Sequence, residues 1–424
     1  MLRTLLRTII LEWQTPKVVK PDVSRVLTIN LDTMLNNEHI VLLTGVRRCG
    51  KSTLLQHIRQ QHNEKHYYLN FEDERLIDFT VDHFQMMMEI FAELFGEEKT
   101  FYFDEIQNIK GWERFVRRLY EQGYKIFITG SNAKMLSQEM GTHLTGRYIK
   151  IELYPFSFCE FLDFKGVKIN VQHATTAVKA KLNNLIKQYI TVGGFPQYVK
   201  DEMLEYLQAL YESILYRDII SRYKLPSETA IRQLAFYFAS NVGKEITYNS
   251  LKKQLNLGCA NTAAEYCQYL ENCYLFFLVK RFSYSLKQQS NSPKKVYAID
   301  SGLAHAIGFR SSQDAGRMLE NIVFIELKRR NFEIYYHHEK KECDFVVCKK
   351  NKIQALIQVC FDLGDLETKE REINGIIDAM QTYKIKQGTI ITLTEADEMI
   401  VTVDAKKYRI DIVPIWLWLV AVQK

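Results

Sequence analysis

Nine consecutive residues of this chain have the types and spacing to do chemistry on a phosphate. Gly45-Val46-Arg47-Arg48-Cys49-Gly50-Lys51-Ser52 reads G-x-x-x-x-G-K-S, and Thr53 follows. Glycines let a backbone curl so that successive N–H groups face an anion, and a helix opening behind them adds its positive end. Lys51 has the reach to meet β- and γ-phosphates, and the Ser52 hydroxyl is a hard ligand for Mg²⁺. ATP and Mg²⁺ are therefore the expected cofactors. Arg47 and Arg48 place two cations beside the phosphates, where they could touch nucleotide or a neighbouring acid.

Further candidates stand at the ends of later apolar runs. Thr100-Phe101-Tyr102-Phe103 leads into Asp104-Glu105. Asp104 is expected to hold Mg²⁺, directly or through water, and Glu105 to orient or deprotonate the attacking water. Another run ends Thr129-Gly130-Ser131-Asn132. The Asn132 amide could sense a γ-phosphate or position the water, although such a run is also a common helix cap. Arg147, after Gly146, is either an arginine finger serving a neighbouring subunit's nucleotide or one half of a surface salt bridge.

These side chains need a frame that brings strand ends together. Apolar runs at 39–44, 66–71, 100–105, 125–130 and 147–153 alternate with helical stretches at 52–61, 80–96, 112–122 and 133–139. Near-continuous apolar strands alternating with helices predict an α/β fold, a parallel sheet covered on both faces. Ligands then sit at the carboxyl ends of the strands, where the glycine loop falls. Ahead of this core, 1–36 reads as an arm and an amphipathic helix, with Asp22 as N-cap and Val23, Val26, Leu27 and Ile29 to Leu31 on its apolar side.

At 424 residues the chain is too long for one ordinary core. A net charge of +6 permits nucleic-acid binding without arguing for it. The eight cysteines form no C-x-x-C pair and read as reduced core residues of a cytoplasmic protein. The longest apolar run, Ile412 to Val422, is too short to span a membrane, and the N-terminus does not read as a signal peptide.

Gly45 to Ser52, Phe101 to Gln107 with its D-E-I-Q run, Thr129 to Asn132, and Leu153-Tyr154-Pro155-Phe156-Ser157-Phe158-Cys159-Glu160-Phe161-Leu162 resemble the bacterial and archaeal AAA+ ATPases that carry a C-terminal domain of unknown function. The resemblance runs over nearly the whole chain. It implies a P-loop ATPase core over 37–165. A homo-oligomer is expected, and the sequence leaves open whether Arg147 acts in cis or in trans. The resemblance also implies a helical lid over 170–225. In a related signalling branch a Gly-x-Pro turn in the lid contacts adenine. Gly194 and Pro196, in Gly193-Gly194-Phe195-Pro196, are similar to that turn and could equally be a bland inter-helix turn.

Residues 226–312 read as a winged helix. Leu234 to Val242, Asn249 to Leu255 (capped by Thr247) and Asn261 to Leu270 are its helices, and Tyr274 to Val279 is a strand. The third helix carries no Arg or Lys, which weakens a DNA role for it, whereas the polar loop Lys287 to Lys295 could track phosphate. Residues 313–424 follow an α-β-β-β-α-β order similar to the restriction-endonuclease fold. A metal site there needs a helix Glu, a strand Asp, and an acid-x-Lys on the next strand. Glu320 and Asp344 match in place, but the third element reads Gln358-Val359-Cys360, so a domain that does not cut is expected. Six cation pairs, Lys252-Lys253, Lys280-Arg281, Lys294-Lys295, Arg329-Arg330, Lys340-Lys341 and Lys349-Lys350, could form a phosphate-tracking face. The functional expectation is an oligomeric ATP-hydrolysing motor or remodeller acting on DNA. The alternatives are a nucleotide-dependent switch that binds a protein partner and, less favoured, an active nuclease.

Overall fold

A computed structural model describes residues 1–15, 23–27, 31–62, 65–131, 144–168, 175–225, 228–309 and 315–421. The chain divides into two compact units: Met1–Tyr154 with Asn272–Tyr274, and Pro155–Glu271 with Leu275–Lys424.

The first unit is built on five parallel strands: β1 (Ile40–Gly45), β2 (Tyr67–Asn70), β3 (Thr100–Asp104), β4 (Lys125–Gly130) and β5 (Tyr148–Leu153). Their order across the sheet is β2-β3-β4-β1-β5. Every residue of β1 and β3 is buried, as expected of strands covered on both faces. Helices Lys51–Gln61, His83–Phe95 and Trp112–Glu121 supply the crossovers. The core holds Leu42, Leu69, Phe101, Phe103 and Ile128 from the sheet against Phe84, Phe91 and Phe115. The expected α/β frame is thus present. The stretch at 133–139 lies outside the described residues.

The N-terminal region departs from its reading. Its helices are Arg3–Gln14, which buries Leu6, Ile9 and Ile10, and the short Leu31–Asn36, while Asp22 and residues 28–30 lie outside the described residues. Val23–Leu27, expected to be helical, is not. Its β-branched valines are poor helix formers, and its backbone instead carries Arg25 to the carbonyls of Cys49 and Tyr154.

In the second unit, helices Glu228–Ser240, Tyr248–Gln254 and Ala260–Asn272 accompany a three-stranded sheet ordered β6 (Glu245–Ile246), β8 (Lys294–Ala298), β7 (Phe276–Lys280). The reading of Lys287 to Lys295 as a flexible loop is corrected. Leu286–Asn291 is a helix, and Lys294 and Lys295 open β8 and are buried. A mixed six-stranded sheet follows, ordered β13-β14-β12-β11-β10-β9. Its strands are β9 (Glu333–His338), β10 (Glu342–Lys349), β11 (Lys352–Val359), β12 (Gln387–Thr392), β13 (Asp397–Val403) and β14 (Lys406–Pro414). Helices Ala315–Arg329 and Leu366–Tyr383 pack with this sheet. The hairpin β13–β14 and the helix Ile415–Val420 are additions to the expected order. Among the described residues no helix is long and apolar enough to cross a membrane.

Candidate functional site

β1 ends at Gly45, and the loop turns into the helix Lys51–Gln61. Two glycines are required here. Gly45 has φ +149°, and a Cβ on it would meet the Leu153 carbonyl oxygen at 2.0 Å. Gly50 has φ +104° at the helix N-cap. Arg48, exposed, takes a left-handed φ of 65° without being glycine, a conformation that costs about 1–3 kcal/mol and gathers at functional loops. Val46 and Cys49 are buried, and the Cys49 thiol donates to the Leu153 carbonyl at 3.3 Å. Burial raises the Cys49 pKa, so the thiol stays protonated and inert.

Arg25 fastens the loop from outside, with Nη1 2.8 Å from the Cys49 oxygen and Nη2 2.5 Å from that of Tyr154. Of the two loop cations, Arg47 pairs with Glu72 at 2.6 Å, the neighbouring-acid alternative. Lys51 is 5 % exposed. Its Nζ donates to the carbonyls of Gly45 (3.2 Å) and Val46 (3.1 Å) and lies 3.7 Å from a Glu105 carboxylate oxygen. Ser52 and Thr53 face solvent at the helix N-terminus.

The parallel register sets Asp104 beside this loop. β4 lies between β1 and β3, pairing Leu43 with Thr129 and Phe103 with Ile128. The Asp104 carboxylate is only 1 % exposed and takes three hydroxyl donors. These are Ser52 at 3.1 Å, Tyr68 at 3.3 Å, and Thr129. Burial, then the neighbouring Glu105 charge, pushes its pKa up to about 6, against the pull of Thr129, Ser52 and Lys51. Glu105 follows with a left-handed φ of 53°. Its N–H donates to Thr129 Oγ1 at 2.9 Å, and its carboxylate accepts from the Gln107 side-chain amide. Two buried polar atoms in this unit, Gln107 Oε1 and Ser131 Oγ, have no hydrogen-bond partner among the described residues.

Lys51, Ser52, Asp104 and Glu105 are therefore brought together as expected. Asn132 lies outside the described residues. Arg147 is not brought to the loop. It precedes Tyr148, which pairs with Ile40 at the start of β1, whereas Gly45 pairs with Leu153 at the far end. The intervening strand puts Arg147 ~20 Å from its own phosphate loop. There it lies 3.5 Å from Glu121 and over the Tyr120 ring.

Gly194 and Pro196 belong to the second unit. The Gly194 N–H donates to Asp300 at 2.6 Å, and its carbonyl accepts from the Phe156 N–H. Pro196 opens the helix Pro196–Asp201, where no N–H is needed. The turn's polar groups are thus engaged within its own unit. Sequence reasoning missed Thr129 as a holder of Asp104, and also Tyr68 and Arg25. Gln107 was visible only as the last letter of D-E-I-Q.

The chemistry of the donor set fits Mg²⁺ and a triphosphate. A serine hydroxyl and an aspartate are hard oxygen ligands, and the lysine at a helix N-terminus is a mobile cation for phosphate oxygens. Comparison with known proteins agrees at the level of the domain. An AAA domain family matches residues 37–162, and a domain of unknown function matches 183–314. An uncharacterised protein of Methanocaldococcus jannaschii, MJ1544, is 36% identical over 411 residues, covering 93% of this chain and 91% of its own. An uncharacterised protein of Haemophilus influenzae is 33% identical over 392 residues, covering 87% and 94%. Among solved structures, the Walker-type ATPase of Pyrococcus abyssi is 15% identical with a TM-score of 0.42, covering 65% of this chain and 93% of that one. The chain belongs to the family of MJ1544, and its residues 37–162 form an AAA domain on a P-loop fold.

Proposed function

We propose that the chain binds ATP with Mg²⁺ at Gly45–Thr53 and hydrolyses it. The observation that carries this reading is the convergence of Lys51, Ser52, Asp104 and Glu105 at one end of one sheet. Ser52 and Asp104 would hold Mg²⁺, which when bound neutralises phosphate charge. Lys51 exchanges its two loop carbonyls for phosphate oxygens. Glu105 takes a proton from the attacking water. The water oxygen bonds to the γ-phosphorus as the bond to the bridging oxygen breaks, and ADP leaves. Gln107 orients the Glu105 carboxylate. Thr129 ties the Glu105 backbone to Asp104.

Arg147 supports a homo-oligomer in this reading, because at ~20 Å from its own loop it can serve phosphate only on a neighbouring copy. DNA is the macromolecular target we favour. Lys252-Lys253, Lys340-Lys341 and Lys349-Lys350 are exposed cation pairs. An open cavity of about 370 Å³ is lined by Arg281, Lys287, Gln288, Asn291 and Glu339, with Arg281 paired to Glu339. Two of the six cation pairs leave this face: Lys294-Lys295 is buried, and Arg329-Arg330 is paired with Glu326.

The test is the ATPase rate with and without single-stranded, duplex and branched DNA across a salt series. Stimulation that fades steeply with salt supports the DNA reading. DNA-independent turnover with no retention on DNA at low salt removes it and leaves hydrolysis standing. Slow turnover with tightly held ADP would instead favour a nucleotide-dependent switch acting on a protein partner. Lys51→Ala should abolish every nucleotide effect.

A further inference from the structure

The restriction-endonuclease order expected for the C-terminal region implies a divalent metal between Glu320 and Asp344. The structure brings those carboxylates together around a different cation. Glu320 lies on the helix Ala315–Arg329 and Asp344 on β10. Lys295, second residue of β8, reaches between them. Its Nζ is 3.0 Å from Glu320 Oε1, 2.8 Å from Asp344 Oδ1 and 2.5 Å from Glu342 Oε1.

The remaining bonding capacity of the cluster is largely used. Tyr297 Oη donates to Glu320 Oε1 at 2.5 Å, and the Val359 N–H donates to Asp344 Oδ2 at 2.9 Å. Where a nuclease would carry its third acid, Gln358 accepts from the Asp344 N–H at 3.1 Å and donates to Glu372. Charge is also compensated. Burial, then the Asp344 charge, raises the Glu320 pKa. Burial alone would lower the Lys295 pKa, but the charges of Asp344 and Glu320 outweigh it and hold the ammonium charged. Half-exposed Glu342 is its third partner. The buried ammonium thus sits between two buried carboxyl groups without any metal. An ammonium with three oxygens at 2.5–3.0 Å fills the space a divalent ion would need.

We propose that Lys295 is the resident cation of this cluster. It takes the place of a metal and fastens β8 to β10 and the helix Ala315–Arg329. The cluster binds no divalent ion and cuts no phosphodiester, and its role is to hold those three elements in register. Removing the ammonium should convert it into a divalent-cation site, because the carboxylates then face each other uncompensated. This inference does not depend on ATP hydrolysis at the other unit.

The experiment compares the nucleotide-free full chain with K295M and K295M/D344N. Mn²⁺ is counted by electron paramagnetic resonance, and melting is followed with Mn²⁺ or with EDTA. K295M in EDTA should melt lower by about 6 °C or more. It should bind one more Mn²⁺ than wild type and regain melting temperature in Mn²⁺. K295M/D344N, with the ammonium and one of the two facing carboxylates removed, should melt above K295M and lose the additional Mn²⁺. Three results overturn the proposal. One is a wild-type Mn²⁺ site, or Mn²⁺-dependent cleavage of plasmid DNA, that D344N removes. Another is a K295M variant with unchanged melting and no added Mn²⁺. The last is a double variant no more stable than K295M, which also covers the case where K295M fails to fold.

Discussion

Thr129→Val tests how the site is held together. The substitution keeps the shape of the side chain and removes one hydroxyl. That hydroxyl donates to the Asp104 carboxylate and accepts the Glu105 N–H at 2.9 Å. A hydrogen bond to a charged group contributes about 1.5–3 kcal/mol, and a buried N–H left unpaired costs about 1–3 kcal/mol. The Glu105 backbone, at φ 53°, stores ~1–3 kcal/mol of strain, whose release on relaxation offsets part of this loss. Stability of the first unit should therefore fall by about 1.5–3 kcal/mol. Freed from Thr129, Glu105 should relax out of its left-handed conformation. A misplacement on the order of 1 Å lowers kcat about 100-fold. Urea denaturation followed at Trp112, which is buried in this unit, measures the first effect, and steady-state ATPase the second. Thr129→Ser keeps the hydroxyl and should stay near wild type in both. If the Val variant matched the Ser variant in stability and rate, the reasoning about this network would be refuted.

Three other outcomes follow from the same geometry. Asp104, raised from the ordinary aspartate range to about 6, holds a proton below that pH, and Mg²⁺ must displace it. Because the folded value is raised, metal-free protein loses this contribution to stability as pH rises through about 6, while Mg²⁺ binding weakens as pH falls through it. Mg²⁺ titrations from pH 5 to 7.5 with a non-hydrolysable ATP analogue should show up to about tenfold weaker binding per unit below that value, with the added slope missing in Asp104→Asn. Gln107→Leu should lower kcat about tenfold at unchanged ATP affinity, measured by steady-state rate and equilibrium binding, since only the orientation of Glu105 is lost. Arg147→Ala should leave ATP affinity intact and lower kcat on the order of 10³-fold. Mixing it with Lys51→Ala chains, which keep Arg147 but bind no nucleotide, should restore part of the rate, and failure of that mixing experiment would remove the trans assignment.

The parts of this fold legible in the sequence are those fixed by local pattern. The five apolar runs are strands because full burial on both faces requires continuous apolar residues, and Gly45 and Gly50 are glycines because of φ and close approach. Position along a strand located Asp104 and Glu105 without any knowledge of strand order. What escaped depends on pairing between strands. Thr129 reaches Asp104 because β4 lies beside β3, and Tyr68 because β2 lies on its other side. No periodicity reveals which strands are neighbours. The Val23–Leu27 stretch misled for a related reason: its apolar residues suggest a helix face, yet tertiary contacts of Arg25 decide its path. Lys294-Lys295 was counted in a phosphate-tracking face because charge in a sequence carries no sign of its partner. Lys295 meets its acids only through contacts 25 and 49 residues away along the chain. For Arg147 the sequence left open whether it serves its own loop, and the parallel register of β5 with β1 places it at the far end of the strand from that loop.

In the proposed reaction Glu105 activates water for attack on ATP held at Gly45–Thr53. Its most direct test is Glu105→Gln, an isosteric change that removes the base and keeps the Gln107 contact available. Nucleotide binding and single-turnover hydrolysis would be measured on the same preparation. ATP affinity should stay within about twofold of wild type and hydrolysis should slow by at least ~100-fold, with ATP recovered intact from the protein. Hydrolysis by Glu105→Gln at the wild-type rate would contradict this role of Glu105.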